Sequence, residues 1–231
     1  MRTIGLLGGM SWESSIEYER EINVEVRKRL GGANSADLII RSYNFADIER
    51  GQMAGDWEAL GKLLADDAAR LEAAGAEVIV LCTNTMHKVA DHIEKAIGVQ
   101  FIHLGDTTAD AVKAAGVSSV GLLGTRYTME QDFYRDRLTG HDLTVIVPDE
   151  PDRTVVHDVI FDELVQGVVT DASRSAYLGV VDRLIERGAE GIIAGCTEIE
   201  LLLSEGDVAV PYFRTAHLHA IAAVDAALSP V

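Results

Sequence analysis

The feature that most limits what this chain can fold into is a repeated segment in which a short apolar run ends at a cysteine. The first copy is GAEVIVLCTNT at residues 75–85 and the second is GAEGIIAGCTEI at residues 188–199. The only two cysteines, Cys82 and Cys196, lie in these copies, 114 residues apart. An uninterrupted apolar run bounded by polar residues is typical of a parallel strand buried on both faces. The sequence therefore predicts an α/β fold in which each cysteine follows a buried strand, where such sheets bind ligands.

A second pair of segments repeats with nearly the same spacing. TIGLLGG at residues 3–9 is echoed by SVGLLGT at residues 119–125, 116 residues later. Two independent echoes indicate two similar halves, each opening with a strand and a Gly-rich turn and carrying one Cys-Thr loop. We predict an N-terminal half at 1–116 and a C-terminal half at 117–216. A tail helix at 217–228 is predicted to pack onto the first half.

Several loop positions in the first half carry candidate binding residues. Residues 43–56 are predicted to form a polar connection that could overhang the site, and Arg50 in it is a candidate clamp for a carboxylate. The Gly-rich turn lacks the G-x-G-x-x-G spacing of dinucleotide sites, so it is either a tight turn or a cradle for a carboxylate. A helix opened by His87 would place Cys82 near a helix N-terminus, where its pKa is predicted to fall. His87 itself is predicted to be a helix-start or surface residue.

Composition bounds the partners and the compartment. The 37 Asp and Glu residues outnumber the 20 Lys and Arg residues among 231, and the formal charge of −17 argues against nucleic acid or anionic membrane partners. Two cysteines do not make a disulfide framework, and the first residues do not resemble a signal peptide, so we expect a reducing cytoplasm. No apolar run approaches the roughly 20 residues of a membrane span. The seven histidines lack metal-ligand spacing, so no metal site is expected.

The paired loops point to proton transfer at carbon. A single cysteine after an apolar strand is usually an inert core residue. Two matched Cys-Thr loops in similar halves would instead place thiols on opposite sides of a cleft. One thiolate could then remove a proton from carbon while the other thiol delivers one to the opposite face, which inverts a stereocentre.

Four segments carry a resemblance to a known family: CTNTMH, GCTEI, GLLGGMSWES and LLGTRYTM. With them the whole chain resembles the aspartate/glutamate racemase family, and the aspartate-racemase branch more than the glutamate racemases, where His usually stands in place of Glu198. The resemblance implies two Rossmann-like α/β halves with parallel sheets, related by a pseudo-twofold axis, with the active site in the cleft between them. It also implies no pyridoxal phosphate or other cofactor, no metal, an amino acid as substrate, and commonly a homodimer.

The same resemblance assigns roles to individual residues. Cys82 and Cys196 would be the acid/base pair. The substrate pocket would be lined by Met10, Gln52, Thr83, Asn84, Thr85, Thr197 and Glu198.

One departure from the family concerns the substrate. Aspartate racemases commonly carry a lysine for the side-chain carboxylate in the stretch that corresponds to residues 167–173, where this chain reads GVVTDAS. The chain therefore looks more like the broader subgroup that includes aspartate/glutamate and homoserine racemases, with Arg50 as the remaining candidate for an acidic side chain.

Two further functions stay open from the sequence, and a third is disfavoured. A related cysteine-pair enzyme, of the hydantoin racemase or maleate isomerase type, would use the same two loops. A protein that binds amino acids without catalysis would not need both cysteines. A thiol redox role is disfavoured because the chain has no C-x-x-C motif and its cysteines are far apart.

Overall fold

The computed structural model describes residues 1–229, which form two compact units. The first unit contains residues 1–104 and the C-terminal segment from His219, and the second contains residues 105–218. This division falls earlier than residue 116, because the segment 105–116 packs with the second unit. The boundary inferred from the repeat marks where the sequence repeats, whereas this one marks which residues pack together.

The first unit is built on a four-stranded parallel sheet with the order β2-β1-β3-β4. The two inner strands are buried along their whole length, as a strand covered on both faces requires, and the edge strand β2 is partly exposed. The strands are β1 (Ile4–Gly8), β2 (Leu38–Ser42), β3 (Val78–Leu81) and β4 (Gln100–Ile102).

Four α-helices and one 3₁₀ turn accompany this sheet. The side chain of Ser11 accepts a hydrogen bond from the Ser14 amide and so caps the N-terminus of the first helix. The third helix buries Leu60, Leu64 and Leu71 at helical spacing, and it packs against β1, β2 and β3. The helices are α1 (Trp12–Leu30), α2 (Phe45–Ala54), α3 (Trp57–Ala73) and α4 (Ala90–Ala96), and the 3₁₀ turn is Thr85–Val89.

The second unit repeats this plan with a parallel sheet of order β6-β5-β7-β8. Its core lies where β5 and β7 pack against the helices α8 and α9, around residues such as Leu123, Tyr177 and Ile192. The strands are β5 (Ser119–Gly124), β6 (Thr144–Ile146), β7 (Gly191–Gly195) and β8 (Tyr212–Arg214). The helices that follow the first unit's in the chain are α5 (Leu104–Ala114), α6 (Arg126–Glu130), α7 (Asp132–Thr139), α8 (Asp152–Asp162), α9 (Asp171–Glu186), α10 (Ile199–Leu202) and α11 (Thr215–Leu228), with 3₁₀ turns at Leu164–Gln166 and Glu205–Asp207.

The two sheets have the same strand order, which confirms the predicted α/β class with parallel sheets. β1 corresponds to β5, and β3 corresponds to β7. Each cysteine-bearing segment therefore follows the strand at the same position in its own sheet. The echo between residues 75–85 and 188–199 is an echo of structure as well as of sequence.

Two elements differ from the sequence-based expectation. The predicted polar connection at 43–56 is mostly the helix α2, because Ile48 packs in the core and Gly55 ends the helix in the left-handed conformation. The strand β8 was not predicted, since only three residues separate Pro211 from Thr215 and they show no clear alternation. The position of β8 could have been found from the repeat. β4 and β8 are both three-residue strands with a central phenylalanine, Phe101 and Phe213, and each is soon followed by a helix.

The helices of residues 1–229 are all too short or too polar to cross a lipid bilayer.

Candidate active site

Cys82 lies immediately after β3, in the interior of the first unit. Its amide donates to the Leu7 carbonyl of β1 at 2.9 Å, which continues the pairing of the two inner strands by one residue. The side chain is fully buried, and the nearest hydrogen-bond acceptor of its Sγ is the Val80 carbonyl at 4.0 Å. Burial raises the pKa of the Cys82 thiol. The predicted fall in pKa from a helix N-terminus is therefore wrong, because loss of solvation outweighs a short 3₁₀ turn.

The residues that follow Cys82 form a buried polar loop. Thr83, Asn84 and Thr85 each expose less than a tenth of their surface. The Thr83 amide donates to the Leu81 carbonyl at 2.8 Å, so the chain turns sharply as soon as the strand ends. Hydroxyl and amide groups held in this way can donate hydrogen bonds to an anionic group.

The Gly-rich turn after β1 brings Met10 and the start of α1 to the same end of the first sheet. Gly9 has a φ of 84°, and a Cβ there would lie 2.3 Å from the Tyr43 amide nitrogen, so only glycine fits. Met10 is buried in the core formed with α2 and α3. The turn is therefore packed tightly against the end of β2.

Gln52 and Arg50, the two candidate binding residues in the segment 43–56, lie on different faces of the helix α2. Gln52 is buried, and its Nε2 donates to the Met86 sulfur at 3.1 Å, which places it against the segment that follows Cys82. Arg50 lies on a different face, with 74% of its side chain exposed, and pairs with Asp47 at 3.1 Å. Within the first unit, the structure brings Gln52 to the cysteine loop and does not bring Arg50 there.

Cys196 lies at the corresponding point of the second unit, directly after β7. Its Sγ–H donates to Glu198 Oε2 at 2.9 Å, and the Thr197 hydroxyl donates to the same oxygen at 2.8 Å. Cys196 and Glu198 are both buried. Burial, and then the charge of Glu198, raise the pKa of the Cys196 thiol.

The two cysteines therefore have different surroundings. Burial alone raises the pKa of Cys82, whereas Cys196 has a carboxylate at hydrogen-bond distance. A carboxylate in this position can accept the thiol proton and leave a thiolate. The arrangement in the second unit supplies a thiol together with its own proton acceptor.

The segment at 167–173, which lacks the lysine common in aspartate racemases, forms the N-terminus of α9. The Thr170 side chain accepts from the Ser173 amide as an N-cap. The hydroxyls of Thr170 and Ser173 both donate to Glu163 Oε2, at 3.4 and 2.5 Å. The polar residues of this segment therefore hold a helix end and a carboxylate of the protein itself.

Sequence reasoning missed the place of His87. It is buried within the 3₁₀ turn Thr85–Val89, where its Nδ1 lies 2.7 Å from the Thr83 carbonyl and its Nε2 accepts from the Leu104 amide at 3.1 Å. The expectation of a surface residue is wrong, because His87 is buried. It lies in the 3₁₀ turn that precedes α4. The only signal in the sequence is that His87 follows Thr83 by four residues, which is one helical turn.

Among residues 1–229, no group of three or more His, Cys, Asp or Glu side chains is arranged to hold a metal ion.

Comparison with known proteins identifies relatives along the whole chain. A family model described as Asp/Glu/Hydantoin racemase matches residues 7–223. A crystal structure of a candidate Asp/Glu racemase from Yersinia pestis is 52% identical, with a TM-score of 0.94 over 99% of this chain and 100% of that one. An aspartate racemase homologue from Pyrococcus horikoshii OT3 is 32% identical, with a TM-score of 0.86 over the same shares of the two chains. The broad specificity amino-acid racemase RacX of Bacillus subtilis is 23% identical over 209 residues, 90% of each chain.

Proposed function

Because this chain belongs to the Asp/Glu/hydantoin racemase family, we propose that it is an amino-acid racemase that works without a cofactor and uses Cys82 and Cys196 as its two bases. The chain is an isomerase of the aspartate/glutamate racemase type. The observation that carries the proposed mechanism is the pair of buried cysteines that follow equivalent strands in two sheets of the same order.

Two bases account for inversion with all protons balanced. One cysteine, as thiolate, removes the α-proton of the substrate and becomes a thiol. The other cysteine, as thiol, delivers its proton to the opposite face of the carbanion and becomes a thiolate. The enzyme is left ready for the reverse direction, and nothing is oxidised or reduced. The proposal requires that both thiols reach the same α-carbon.

Glu198 provides the proton acceptor that this cycle needs. Burial disfavours the thiolate form of both cysteines, so a resting pair of thiols has no base. Transfer of the Cys196 proton to Glu198 Oε2, 2.9 Å away, produces a thiolate without any movement of the backbone. We therefore assign Glu198 to the activation of Cys196, in addition to its expected place in the substrate pocket.

The substrate would be held by the polar groups of the two loops. The hydroxyls of Thr83, Thr85 and Thr197 and the amide of Asn84 can donate hydrogen bonds to the α-carboxylate, which every amino acid carries. Met10 and Gln52 would complete the pocket from the first unit. These contacts bind any amino acid and do not select among side chains.

One relative supports a substrate range wider than aspartate. RacX of Bacillus subtilis is a broad specificity amino-acid racemase, whereas the Pyrococcus protein is an aspartate racemase homologue. In this chain, residues 167–173 contain no lysine, and the formal charge of −17 gives no long-range attraction to a substrate with two negative charges. We propose that aspartate or glutamate and at least one uncharged polar amino acid, such as homoserine, are substrates.

The protein is expected to racemise amino acids after purification without any added cofactor. It should show no visible absorption band of an aldimine, and chelators and carbonyl reagents should leave its activity unchanged, because the two thiols and Glu198 supply the acid/base chemistry. Chiral chromatography of the products before and after dialysis measures this. Activity that is lost on dialysis and restored by pyridoxal phosphate would contradict the proposal.

Substitution of Arg50 by alanine is expected to raise KM for aspartate or glutamate about fivefold and to leave KM for homoserine unchanged. The effect is small because an exposed charge contributes at most about 1 kcal/mol, and Arg50 must leave Asp47 to meet a substrate. A chiral screen over the amino acids, with wild type and Arg50→Ala side by side, measures both range and selectivity. Arg20→Ala is a matched control for the loss of one positive charge, because Arg20 is also exposed on a helix and pairs with Glu17 three residues before it. Strict aspartate specificity that does not depend on Arg50 would contradict both the proposed substrate range and the proposed role of Arg50.

The homodimer and the cytoplasmic location, which follow from the resemblance and from the composition, stay predictions.

A further inference from the structure

The carbonyl group next to Cys82 is held by a buried imidazole. Strand pairing fixes the Cys82 amide, which donates to Leu7, and the Thr83 amide donates to Leu81. The Thr83 carbonyl points to His87 Nδ1 at 2.7 Å. A buried carbonyl requires a donor, and the ring supplies it.

The two contacts of His87 determine which nitrogen carries the proton. The Leu104 amide can only donate, so Nε2 must accept from it with its lone pair. The neutral ring therefore carries its proton on Nδ1, and Nδ1–H donates to the Thr83 carbonyl. The rings of Phe101, His103 and His219 pack around it with centroids 4.7 to 5.9 Å away and hold its plane.

The bond to Thr83 also fixes the next peptide group. The bond between Thr83 and Asn84 is trans, so its N–H is directed opposite to its carbonyl. With the carbonyl held by His87, the Asn84 N–H must point away from the ring. A flip of this peptide would break the hydrogen bond and leave the buried Nδ1–H unpaired.

We propose that His87 is a positioning residue, which through its Nδ1–H holds the Cys82 loop and the Asn84 N–H in the orientation that substrate binding needs. It does not exchange a proton with the substrate. This inference rests on the proposed role of Cys82, but its structural content, the restraint of the loop, is independent of turnover.

Two substitutions separate positioning from packing. Asparagine places an N–H donor near the position of Nδ1 and can keep the bond to Thr83. Glutamine reaches the position of Nε2, keeps an acceptor for Leu104 and is closer to histidine in volume. If His87 mainly fills space, His87→Gln should be the better tolerated variant. If it positions the loop, His87→Asn should be.

The expected result is that His87→Asn keeps kcat/KM within about threefold of wild type, while His87→Gln and His87→Ala lose about tenfold or more, since about 1.4 kcal/mol for a lost buried hydrogen bond is a factor of ten. Thermal unfolding and circular dichroism check that each variant is folded. His157→Gln is the matched control. It alters a histidine of the second unit whose Nδ1 also accepts from a backbone amide, that of Arg126 at 3.2 Å.

The same variants are compared without turnover by the rate at which iodoacetamide labels each cysteine, read by peptide mass spectrometry. His87→Ala and His87→Gln should raise the labelling rate of Cys82 about tenfold through local opening. His87→Asn and His157→Gln should not raise it, and Cys196 serves as the internal reference. If the wild-type protein turns over no amino acid, the proposed racemase function is wrong. The order of the Cys82 labelling rates would still test the positioning role of His87. Equal Cys82 labelling in His87→Asn and His87→Ala, or higher activity in His87→Gln than in His87→Asn, would overturn the inference.

Discussion

Replacement of either cysteine by alanine is expected to lower racemisation about 10⁴-fold in both directions, which is the upper range for loss of a general acid or base. Each direction of the reaction uses one cysteine as base and the other as acid, so neither thiol can substitute for its partner. Cys82→Ala and Cys196→Ala should therefore be equally inactive, although the surroundings of the two thiols differ. Chiral chromatography started from each enantiomer measures both directions.

Folding should survive both substitutions. Each removes one sulfur atom from a buried site, which costs about 1–2 kcal/mol by analogy with small core truncations. Cys82→Ser and Cys196→Ser are size-matched controls, because a hydroxyl fills the same space but is a far weaker base. Near-normal turnover in both directions by any single variant that remains folded would show that the assignment of two bases is wrong.

Replacement of Glu198 by glutamine is expected to lower kcat about 10²-fold, the lower range for loss of an acid/base group. The amide oxygen can still accept hydrogen bonds from Cys196 and Thr197, so the geometry of the loop is kept. An amide cannot take the thiol proton, so the thiolate of Cys196 no longer forms at the proposed site. The loss should appear in kcat measured from either enantiomer.

Glu200→Gln is the matched control for Glu198→Gln. Glu200 lies in the first turn of α10 with 10% of its side chain exposed, and its charge also raises the pKa of Cys196, but its carboxylate pairs with Arg214 at 2.7 Å. The control removes a similar negative charge without touching the thiol, and its kcat should stay within about threefold of wild type. Equal losses in the two variants would show that only the net charge near Cys196 matters, and not proton transfer to Glu198.

Much of the fold could be predicted because its strands are strongly marked. The run at residues 78–81 has four apolar residues between polar neighbours, and its repeat at residues 191–195 identifies the matching strand of a second sheet. The long helix α1 begins after Ser11, a residue type that commonly caps helices. These features depend on local pattern and on repetition, which one sequence contains in full.

The features that could not be predicted depend on tertiary contacts. The helix α2 contains Gly51, which disfavours a helix, and it is stabilised by burial of Ile48 and Gln52, which no local pattern shows. The pKa of Cys82 depends on how deeply the loop is buried, which outweighs a helix-end effect that can be read from sequence. The contact of His87 with Leu104 joins residues 17 positions apart through a ring nitrogen, and spacing alone does not predict it.

The most direct test of the two-base mechanism is racemisation in deuterium oxide, followed to a few per cent conversion from each enantiomer. With two bases, the proton removed by one cysteine stays on that side, and the other cysteine delivers deuterium from solvent. The product enantiomer should therefore carry deuterium at the α-carbon in nearly every molecule, while the recovered substrate keeps its original hydrogen. Product that retains the original hydrogen, together with substrate that has gained deuterium, would show that a single base serves both faces and would contradict the assignment of Cys82 and Cys196.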